Sequence, residues 1–456
     1  MKKQATKPRK RSTWSSQLAF ILALTGAAVG LGNIWKFPYM AGDNGGSAFV
    51  LIYIIAVVVI GLPVMIAEIV IGRASKMNPV DALRTLAVKE KHSKQWALLG
   101  WWGMIGLLIT LSFYCVIAGW SIFYLFKGVT GALSHDSSAA LMHIWNGFLA
   151  SPGEMTLFTF IFTAMTFYVV GKGVHSGLEL ANLYMMPILF VILAFLAIYA
   201  YIISAHSFDQ AAHFLFDFKV DKITGAVVIN ALGHAFFTLA VGVGAMEIYG
   251  SYLNKDTSIG QSVVATAILD VLTAFLSGLA IFPILFLNHV APQQGPGLMF
   301  LALPMAFTNM YGGQWLGALF FVLLLFAAWT SSINIAEPMV AMLSEKTRLS
   351  RKQACGWVAL ATALLSLISV FSFNLWSDVK VFGHFDIFTA VTDLSTNIFL
   401  PVGGIFYALF AGWVVKRELT HSELRMQSDV VYNIWLLLTR FVAPIGILVV
   451  FVSSFY

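Results

Sequence analysis

The chain has 456 residues, of which 59% are hydrophobic and 11% charged, and its formal net charge is +6. Soluble domains carry about 25% charged residues, so the composition excludes a soluble protein and indicates a helical protein that crosses a membrane many times. The basic residues lie in the predicted tail and loops, which explains the charge without a nucleic-acid partner. Motifs typical of enzymes, such as a Walker A loop or His-Glu-x-x-His, do not occur in the sequence.

Hydropathy predicts eleven membrane spans, centred approximately on residues 26, 59, 110, 162, 192, 239, 274, 327, 363, 401 and 444. Of the 27 Lys and Arg residues, 21 fall in the tail and loops of one side and 4 in loops of the other. Because basic residues concentrate on the cytoplasmic side, we expect a cytoplasmic N-terminus, an external C-terminus and no cleaved signal peptide. We expect no disulfide between the two cysteines, Cys115 and Cys355.

The predicted spans divide into a repeated pair of units and one further helix. The expected segments are a cytoplasmic tail at 1–11, spans 1 to 5 at 12–205, spans 6 to 10 at 225–416 and a peripheral span 11 at 430–456. The outer connections at about 128–154 and 205–224 are long enough to be partly structured. Residues 289–311 hold three prolines, which break helices, and predict a re-entrant or lid-like outer loop.

Three glycines interrupt the first predicted span at residues 26–33 (GAAVGLGN). Each glycine costs a helix about 1 kcal/mol relative to alanine, and an opened helix in lipid survives only where protein or a polar cavity satisfies its backbone. The freed carbonyls can then bind a cation and the freed amides a carboxylate. The alternative is that the glycines only allow close helix packing.

A second glycine-interrupted segment favours the first interpretation. Residues 28–32 (AVGLG) recur as residues 240–244 (AVGVG) with one difference in five positions. Paired glycine-interrupted spans in corresponding halves mark the binding sites of secondary transporters that are built from inverted repeats. Similar runs of Gly, Ala and Val also arise by chance in membrane proteins, so the repeat is suggestive.

Oxygen-bearing side chains lie within the apolar spans. Asn33 ends the first broken segment, Thr238 precedes the second, Asp270 is a carboxylate in the seventh span, and residues 330–332 (TSS) interrupt the eighth. Such a set suits a small, hard cation, and ionisable residues inside a membrane are candidates for function. The alternatives are hydroxyls that bond back to their own helix and a satisfied structural carboxylate at Asp270.

From Arg11 to about Trp413, the chain resembles the neurotransmitter:sodium symporters, the family of the bacterial leucine transporter and the animal monoamine and GABA transporters. The motifs that carry the resemblance are residues 11–14 (RSTW), 26–38 (GAAVGLGNIWKFP), 44–46 (NGG), 236–244 (FFTLAVGVG), 330–332 (TSS) and 337–338 (EP). The resemblance implies an all-α polytopic fold of the leucine-transporter type, a 5+5 inverted repeat with helices 1 and 6 broken. It also implies eleven transmembrane helices in a bacterial inner membrane, since several bacterial members lack a twelfth.

The resemblance further implies two sodium sites. The first would use the carbonyl of Ala28, the side chains of Asn33, Thr238 and Asp270, and the carboxylate of the substrate. The second would use the carbonyls of Gly26, Val29 and Ala327 and the hydroxyls of Thr330 and Ser331.

For the substrate, the resemblance places the carboxylate at the amides near Leu31 and Gly32 and at the hydroxyl of Tyr114. The amine would face the carbonyls of Ala28, Phe237 and Thr238. Phe237 would also act as an aromatic lid. The residues that would surround the side chain of the substrate are Val29, Thr110, Phe237, Ala240, Val243, Ser331 and Ile335.

Two gates are also implied. Arg11 and Glu345 would pair at the inner gate, with Trp14 and Tyr252 near them, and Lys36 and Asp393 would pair at the outer gate. The family usually has arginine at the position of Lys36, and lysine loses bidentate geometry, so a tight outer ion pair is in doubt. Glu68 occupies the position of a carboxylate that braces the broken sixth helix.

Another departure concerns chloride. Animal members bind chloride with a serine four residues after the asparagine that corresponds to Asp270, and here that position is Ala274. We therefore expect no chloride requirement. Asp270 would be the fixed anion, and it is a candidate to carry a proton when the transporter returns without substrate.

Gly177 and Pro187 match a Gly-x9-Pro pattern of the family that opens helix 5 to release the second sodium ion. The alternative is an ordinary helix-start glycine and a tolerated kink.

The resulting prediction is a sodium-coupled symporter, not an enzyme, that imports hydrophobic and aromatic L-amino acids by alternating access. Its partners would be the small-molecule substrate and membrane lipid, with no nucleic acid and no required oligomer. The alternative function is an amino-acid sensor that uses a transporter fold without moving its ligand.

Overall fold

The computed structural model describes residues 12–131, 138–290, 297–308, 310–381, 383–426 and 428–454. Helices dominate this part of the chain, as the apolar composition requires, because a lipid environment leaves backbone groups no partners other than those within a helix. Arg11, the predicted partner of Glu345, lies outside the described residues.

Nine continuous helices in the described part of the chain are long and apolar enough to cross a membrane. They are Ser47–Ser75, Lys94–Val129, Pro152–Gly171, Val174–Ile203, Ile259–Leu287, Gly313–Lys346, Arg351–Phe371, Ile387–Val414 and Asp429–Ser453. They coincide with predicted spans 2 to 5 and 7 to 11, and these span numbers are kept below. The protein is therefore a multi-pass membrane protein.

Spans 1 and 6 are broken, as predicted. Span 1 consists of Gln17–Ala28 and Gly32–Asp43, which meet at 49°, and it brings the number of candidate spans to ten within the described residues. Span 6 consists of Gly225–Thr238, which is 14 residues long, and Ala245–Ser251. Neither half of span 6 is long enough to cross a membrane by itself, so the total of eleven remains a prediction.

Several spans contain wide, π-helical turns. They are Gly32–Lys36, Val57–Gly61, Val174–Glu179, Leu394–Phe399, Phe410–Val414 and Leu438–Val442. Such turns occur frequently at functional sites, and four of them belong to spans 1, 5 and 10, which surround the site described below.

The connections carry further short elements. The helices outside the spans are Pro79–Lys89, Ser138–Ala150, Ala205–Phe216, Leu303–Thr308 and Arg417–Leu424, with a π-helical turn at Leu298–Ala302 and a 3-10 turn at Val220–Lys222. A 3-10 turn at Lys94–Trp96 begins span 3. The described parts of the two outer connections that were expected to be partly structured thus contain helices. The strands Lys380–Val381 and Phe385–Asp386 form an antiparallel pair that was not predicted. Gly383, at a φ of +86°, lies in the turn between them.

The broken spans lie at the centre of the bundle. The first half of span 1 packs against spans 5, 7 and 8, and the second half of span 6 packs against span 2. Span 8 in turn packs along span 3. The interrupted backbone of spans 1 and 6 is therefore enclosed by protein rather than lipid, which is the condition for such a break.

Candidate functional site

The backbone of the break in span 1 packs closely against a side chain of span 8. The first helix ends at Ala28, and Val29 is extended, with φ −74° and ψ 106°. A Cβ atom on Gly30 would lie 2.3 Å from Ser331 Oγ and 2.9 Å from Tyr114 Oη. A larger residue at Gly30 would therefore displace the hydroxyls of Ser331 and Tyr114, and the close-packing and open-backbone interpretations of this segment are compatible.

The break in span 6 has a different conformation despite the similar sequence. Ala240, Gly242 and Gly244 have φ of +50°, +97° and +75°, whereas none of the glycines in the span 1 break has positive φ. A Cβ on Gly242 would lie 2.3 Å from the carbonyl oxygen of Leu400 in span 10. The two breaks are thus alike in sequence and position but not in backbone geometry.

Glu68 braces the broken sixth span, as predicted. Its side chain is fully buried, and its two carboxylate oxygens accept hydrogen bonds from the backbone amides of Gly242, at 2.5 Å, and Met246, at 3.1 Å. These amides have no helical partner because the helix is interrupted, and a buried amide without a partner costs about 1–3 kcal/mol. Glu68 therefore stabilises the break.

The three side chains proposed for the first sodium site, those of Asn33, Thr238 and Asp270, contact one another. One carboxylate oxygen of Asp270 accepts hydrogen bonds from Asn33 Nδ2, at 2.8 Å, and Thr238 Oγ1, at 2.9 Å, and the other accepts from Tyr53 Oη, at 2.7 Å. Asn33 Oδ1 also accepts from Thr238 Oγ1 at 2.9 Å. Asp270, Asn33 and Tyr53 are fully buried. The cluster joins spans 1, 2, 6 and 7.

No Lys, Arg or His side chain forms an ion pair with Asp270 among the described residues. Its three donors are a hydroxyl, a phenol and an amide, which stabilise the carboxylate but carry no positive charge. A buried charge normally requires a partner of opposite charge or a metal ion. The arrangement is therefore suited to a cation.

Among the residues proposed for the second sodium site, Ser331 connects span 8 to span 1: its Oγ lies 3.2 Å from the carbonyl oxygens of both Gly26 and Val29. Thr330 Oγ1 donates within its own helix, to the carbonyls of Phe326 at 3.0 Å and Ala327 at 3.1 Å, as the alternative interpretation expected. Ser331 does not, and instead joins span 8 to the break in span 1. The five groups are oxygens, the ligands that hard cations prefer.

A small cavity lies between the two clusters, with a volume of about 40 Å³, room for only a few water molecules. The residues that line it are Ala27, Ala28, Gly30, Leu31, Gly32, Leu107, Thr110, Tyr114, Phe237, Thr238, Ala240, Val243, Ser331, Ile335 and Leu400. Every residue predicted for the substrate site is among them except Val29. Val29 is fully buried, and its carbonyl faces Ser331, so it belongs to the second cluster rather than to the cavity wall.

The polar end of the cavity is formed by the break in span 1. Tyr114 Oη accepts a hydrogen bond from the amide of Leu31 at 3.2 Å. Phe237 lines the cavity beside the same break, since a Cβ on Gly32 would lie 3.4 Å from its ring, and the ammonium group of Lys36 lies 4.4 Å from the centre of that ring. The hydroxyl of Tyr114 at the break and the apolar side chains that line the rest of the cavity match the two chemical parts of an amino acid.

The residues of the outer gate do not form the predicted pair. No ion pair joins Lys36 and Asp393 in the described part of the chain. Lys36 instead makes a cation–π contact with Phe237, and Asp393 accepts from Asn397 at 3.2 Å. Lysine at this position is a point charge and lacks the two-pronged guanidinium of arginine. Its ammonium group can therefore be stabilised by the cation–π contact with the aromatic ring.

Near the predicted inner gate, Trp14 joins the start of span 1 to the end of span 6. Its indole nitrogen donates to the carbonyl of Tyr249 at 3.1 Å, and its ring centre lies 6.1 Å from that of Tyr252. Tyr252 Oη donates to Glu337 at 2.7 Å. Glu345 accepts two hydrogen bonds from Asn78, one from its backbone amide and one from its side chain.

Span 5 begins with the predicted irregularity. Gly177 lies in the π-helical turn Val174–Glu179, and Pro187 lies inside the α-helix that follows. A Cβ on Gly177 would lie 2.2 Å from the carbonyl oxygen of Val169. Glycine is therefore needed for the close approach of spans 4 and 5, in addition to any role in unwinding.

Four residues in or beside the site were not predicted from the sequence. Leu107 could have been found, because it precedes Thr110 by three residues and so shares its helix face. Tyr53, Leu400 and Ser395, which lies 2.6 Å from Thr110, offer no such signal. They are ordinary residues of membrane helices and reach the site only through the packing of spans 2 and 10.

Comparisons with known proteins identify the family and support the fold. A model of the sodium:neurotransmitter symporter family matches residues 11–151 and 146–456. An uncharacterised sodium-dependent transporter of Haemophilus influenzae is 34% identical, covering 99% of this chain and 100% of the relative. The uncharacterised sodium-dependent transporter YhdH of Bacillus subtilis is 33% identical, covering 98% of each chain. The crystal structure of MhsT in complex with L-phenylalanine is similar, with a TM-score of 0.90, 38% identity and coverage of 97% of this chain and 100% of MhsT.

Proposed function

Because the chain belongs to the sodium:neurotransmitter symporter family, we propose that it couples the entry of sodium to the import of hydrophobic and aromatic L-amino acids. The fold is that of leucine-transporter-type symporters, and the relatives in Haemophilus influenzae and Bacillus subtilis are sodium-dependent transporters. The complex of MhsT with L-phenylalanine supports an amino acid as substrate. The membrane would be the bacterial inner membrane, with the N-terminus in the cytoplasm.

The observation that carries this proposal is the unpaired carboxylate of Asp270. It is fully buried, it is held by Asn33, Thr238 and Tyr53, and no cationic side chain among the described residues neutralises it. A sodium ion would supply the missing charge, and the carboxylate of an amino acid in the adjacent cavity would complete its coordination. Each ligand would then raise the affinity for the other, which is thermodynamic coupling.

The apolar wall of the cavity supports the substrate class. Apart from Thr110, Tyr114, Thr238 and Ser331, the side chains that line the cavity are apolar, among them Leu107, Val243 and Leu400. Such a wall cannot desolvate a charged side chain cheaply, so acidic and basic amino acids are disfavoured.

Counterflow in proteoliposomes tests the proposal against the alternative of a sensor. Vesicles loaded with unlabelled tryptophan should accumulate labelled tryptophan from a sodium-containing medium and should not do so when potassium replaces sodium. A sensor would bind tryptophan saturably in sodium and show no counterflow. Absence of sodium-dependent binding altogether would reject both functions.

We expect transport to be independent of chloride. Ala274 is fully buried and has no hydroxyl to bind an anion, while Asp270 already supplies a negative charge. A fixed anion lowers the cost of assembling sodium in a low dielectric. Uptake should therefore be equal within error in sodium chloride and sodium gluconate. A collapse of uptake in gluconate would show that Asp270 does not replace chloride.

We expect Pro187→Ala to slow turnover about twofold to tenfold with little change in equilibrium sodium affinity. The substitution restores one helical hydrogen bond, worth about 0.5–1.5 kcal/mol, and so makes span 5 harder to open. The initial rate of exchange and the sodium dependence of binding would be measured together. Pro283→Ala, inside span 7, is the matched control and should turn over like the wild type. Wild-type turnover in Pro187→Ala would argue that the proline is only a tolerated kink.

A further inference from the structure

We infer that the side-chain oxygen of Asn182 is a transit ligand for sodium between the second cluster and the cytoplasm. This inference rests on the proposed function of that cluster, formed by Gly26, Val29, Ala327, Thr330 and Ser331. It assigns a second, transient cation position to a residue of span 5, one turn beyond the π-helical turn Val174–Glu179.

Asn182 carries an unsatisfied acceptor at the second cluster. The side chain is fully buried, and its Oδ1 has no hydrogen-bond partner among the described residues. Its Nδ2 donates to the carbonyl of Leu178 at 2.8 Å, which fixes the orientation of the amide. The free oxygen points at the break in span 1, since a Cβ on Gly26 would lie 1.9 Å from it.

This orientation is unusual because a buried acceptor without a donor costs about 1–3 kcal/mol. Turning the amide over would place its nitrogen at Gly26 and lose the bond to Leu178, so the helix itself holds the oxygen in place. Gly26 also supplies one carbonyl of the second cluster, the one that lies 3.2 Å from Ser331. Asn182 Oδ1 is therefore an uncommitted oxygen beside Gly26, on the span 5 side of that cluster.

Asn334 provides a neighbouring oxygen. Its Oδ1 accepts a hydrogen bond from Tyr249 and lies 3.5 Å from Asn182 Nδ2. Its Nδ2 donates to the carbonyl of Ala23 at 3.3 Å, one turn nearer the N-terminal end of span 1 than Gly26. The polar groups thus continue from the second cluster along span 1 instead of ending at Gly26.

Glu179 extends the same line of oxygens. It precedes Asn182 by three residues, so the two side chains share one face of span 5. Its carboxylate is 8% exposed and accepts hydrogen bonds from the backbone amide and hydroxyl of Ser15, and it pairs with His175 at 3.0 Å. A sodium ion that leaves the second cluster would meet Asn182 first and a carboxylate near the membrane surface next.

The test compares sodium dependence on the two faces of the membrane. Right-side-out and inside-out vesicles would be used to measure the external and internal sodium concentrations that give half-maximal tryptophan exchange. In Asn182→Leu, we expect the internal sodium concentration for half-maximal exchange to rise about tenfold, because one oxygen contact to a charged group is lost. The external value should stay within about twofold. Asn182→Asp, which keeps the oxygen, should not raise the internal value.

Asn374→Leu is the matched control, since it also replaces an asparagine by leucine. Asn374 is partly buried and lies just beyond the outer end of span 9. This variant should leave both values unchanged. If Asn182→Leu does not fold, Asn182→Ala replaces it. An equal rise on both faces, or no rise, would overturn the inference. Absence of sodium-driven exchange in the wild type would instead refute the proposed function, so the two failures are distinguishable.

Discussion

Asp270→Asn is expected to bind sodium about a thousandfold more weakly than the wild type. At 4 Å and an effective dielectric constant of about 20, two unit charges attract each other by about 4 kcal/mol, which corresponds to about three orders of magnitude in affinity. The substitution removes this charge but keeps the size of the side chain. Asn33 and Thr238 can still donate to the remaining amide oxygen, and the hydroxyl of Tyr53, which donates in the wild type, can turn to accept from the new NH₂ group.

The sodium dependence of tryptophan binding in detergent would measure this change. Asp378→Asn, which neutralises an exposed carboxylate in an outer loop, is the control and should bind sodium normally. In Asp270→Asn/Ala274→Ser, the added hydroxyl recreates the pattern of the chloride-binding members, so binding should return partly in chloride and not in gluconate. Normal sodium affinity in Asp270→Asn would mean that the carboxylate is only a structural group.

The broken helices were predictable because their signals are local. Glycine is the least favourable helix former after proline, and a polar side chain within an apolar span has few explanations. These two rules alone select the glycines of spans 1 and 6 together with Asn33, Thr238, Asp270 and Ser331, which the structure brings together. The resemblance to a known family added which oxygen belongs to which cluster.

The remaining features depend on tertiary packing. Tyr53 and Leu400 reach the site only because spans 2 and 10 pack on the breaks. The different backbone conformations of the two breaks follow from their neighbours, since Gly242 lies against the carbonyl of Leu400 and Gly30 lies against Ser331. The contact of Lys36 with Phe237 likewise depends on how the two broken helices face each other. No pattern within either segment encodes these relations.

The size of the substrate should depend on Val243, and Val243→Phe is expected to weaken tryptophan about thirtyfold and leucine only about threefold. Val243 is 2% exposed and lines the cavity with Thr110, Ala240 and Ile335. The leucine transporter has phenylalanine at this position, so the valine leaves space for a larger side chain. Refilling that space overpacks the wall, which costs about 1–3 kcal/mol and penalises the larger substrate more.

Competition of labelled tryptophan by each amino acid would measure the change, with Val264→Phe on the lipid-facing side of span 7 as the control, since Val264 is 47% exposed. Each additional buried CH₂ is worth about 0.8 kcal/mol, so the wild type should prefer tryptophan, tyrosine, phenylalanine and leucine to glycine and alanine. Monoamines should fail because they lack the carboxylate that completes the sodium site, and Gly26 offers no acidic side chain in its place. Unchanged tryptophan affinity in Val243→Phe, or a wild type that prefers alanine to every aromatic amino acid, would show that the side chain of the substrate lies elsewhere.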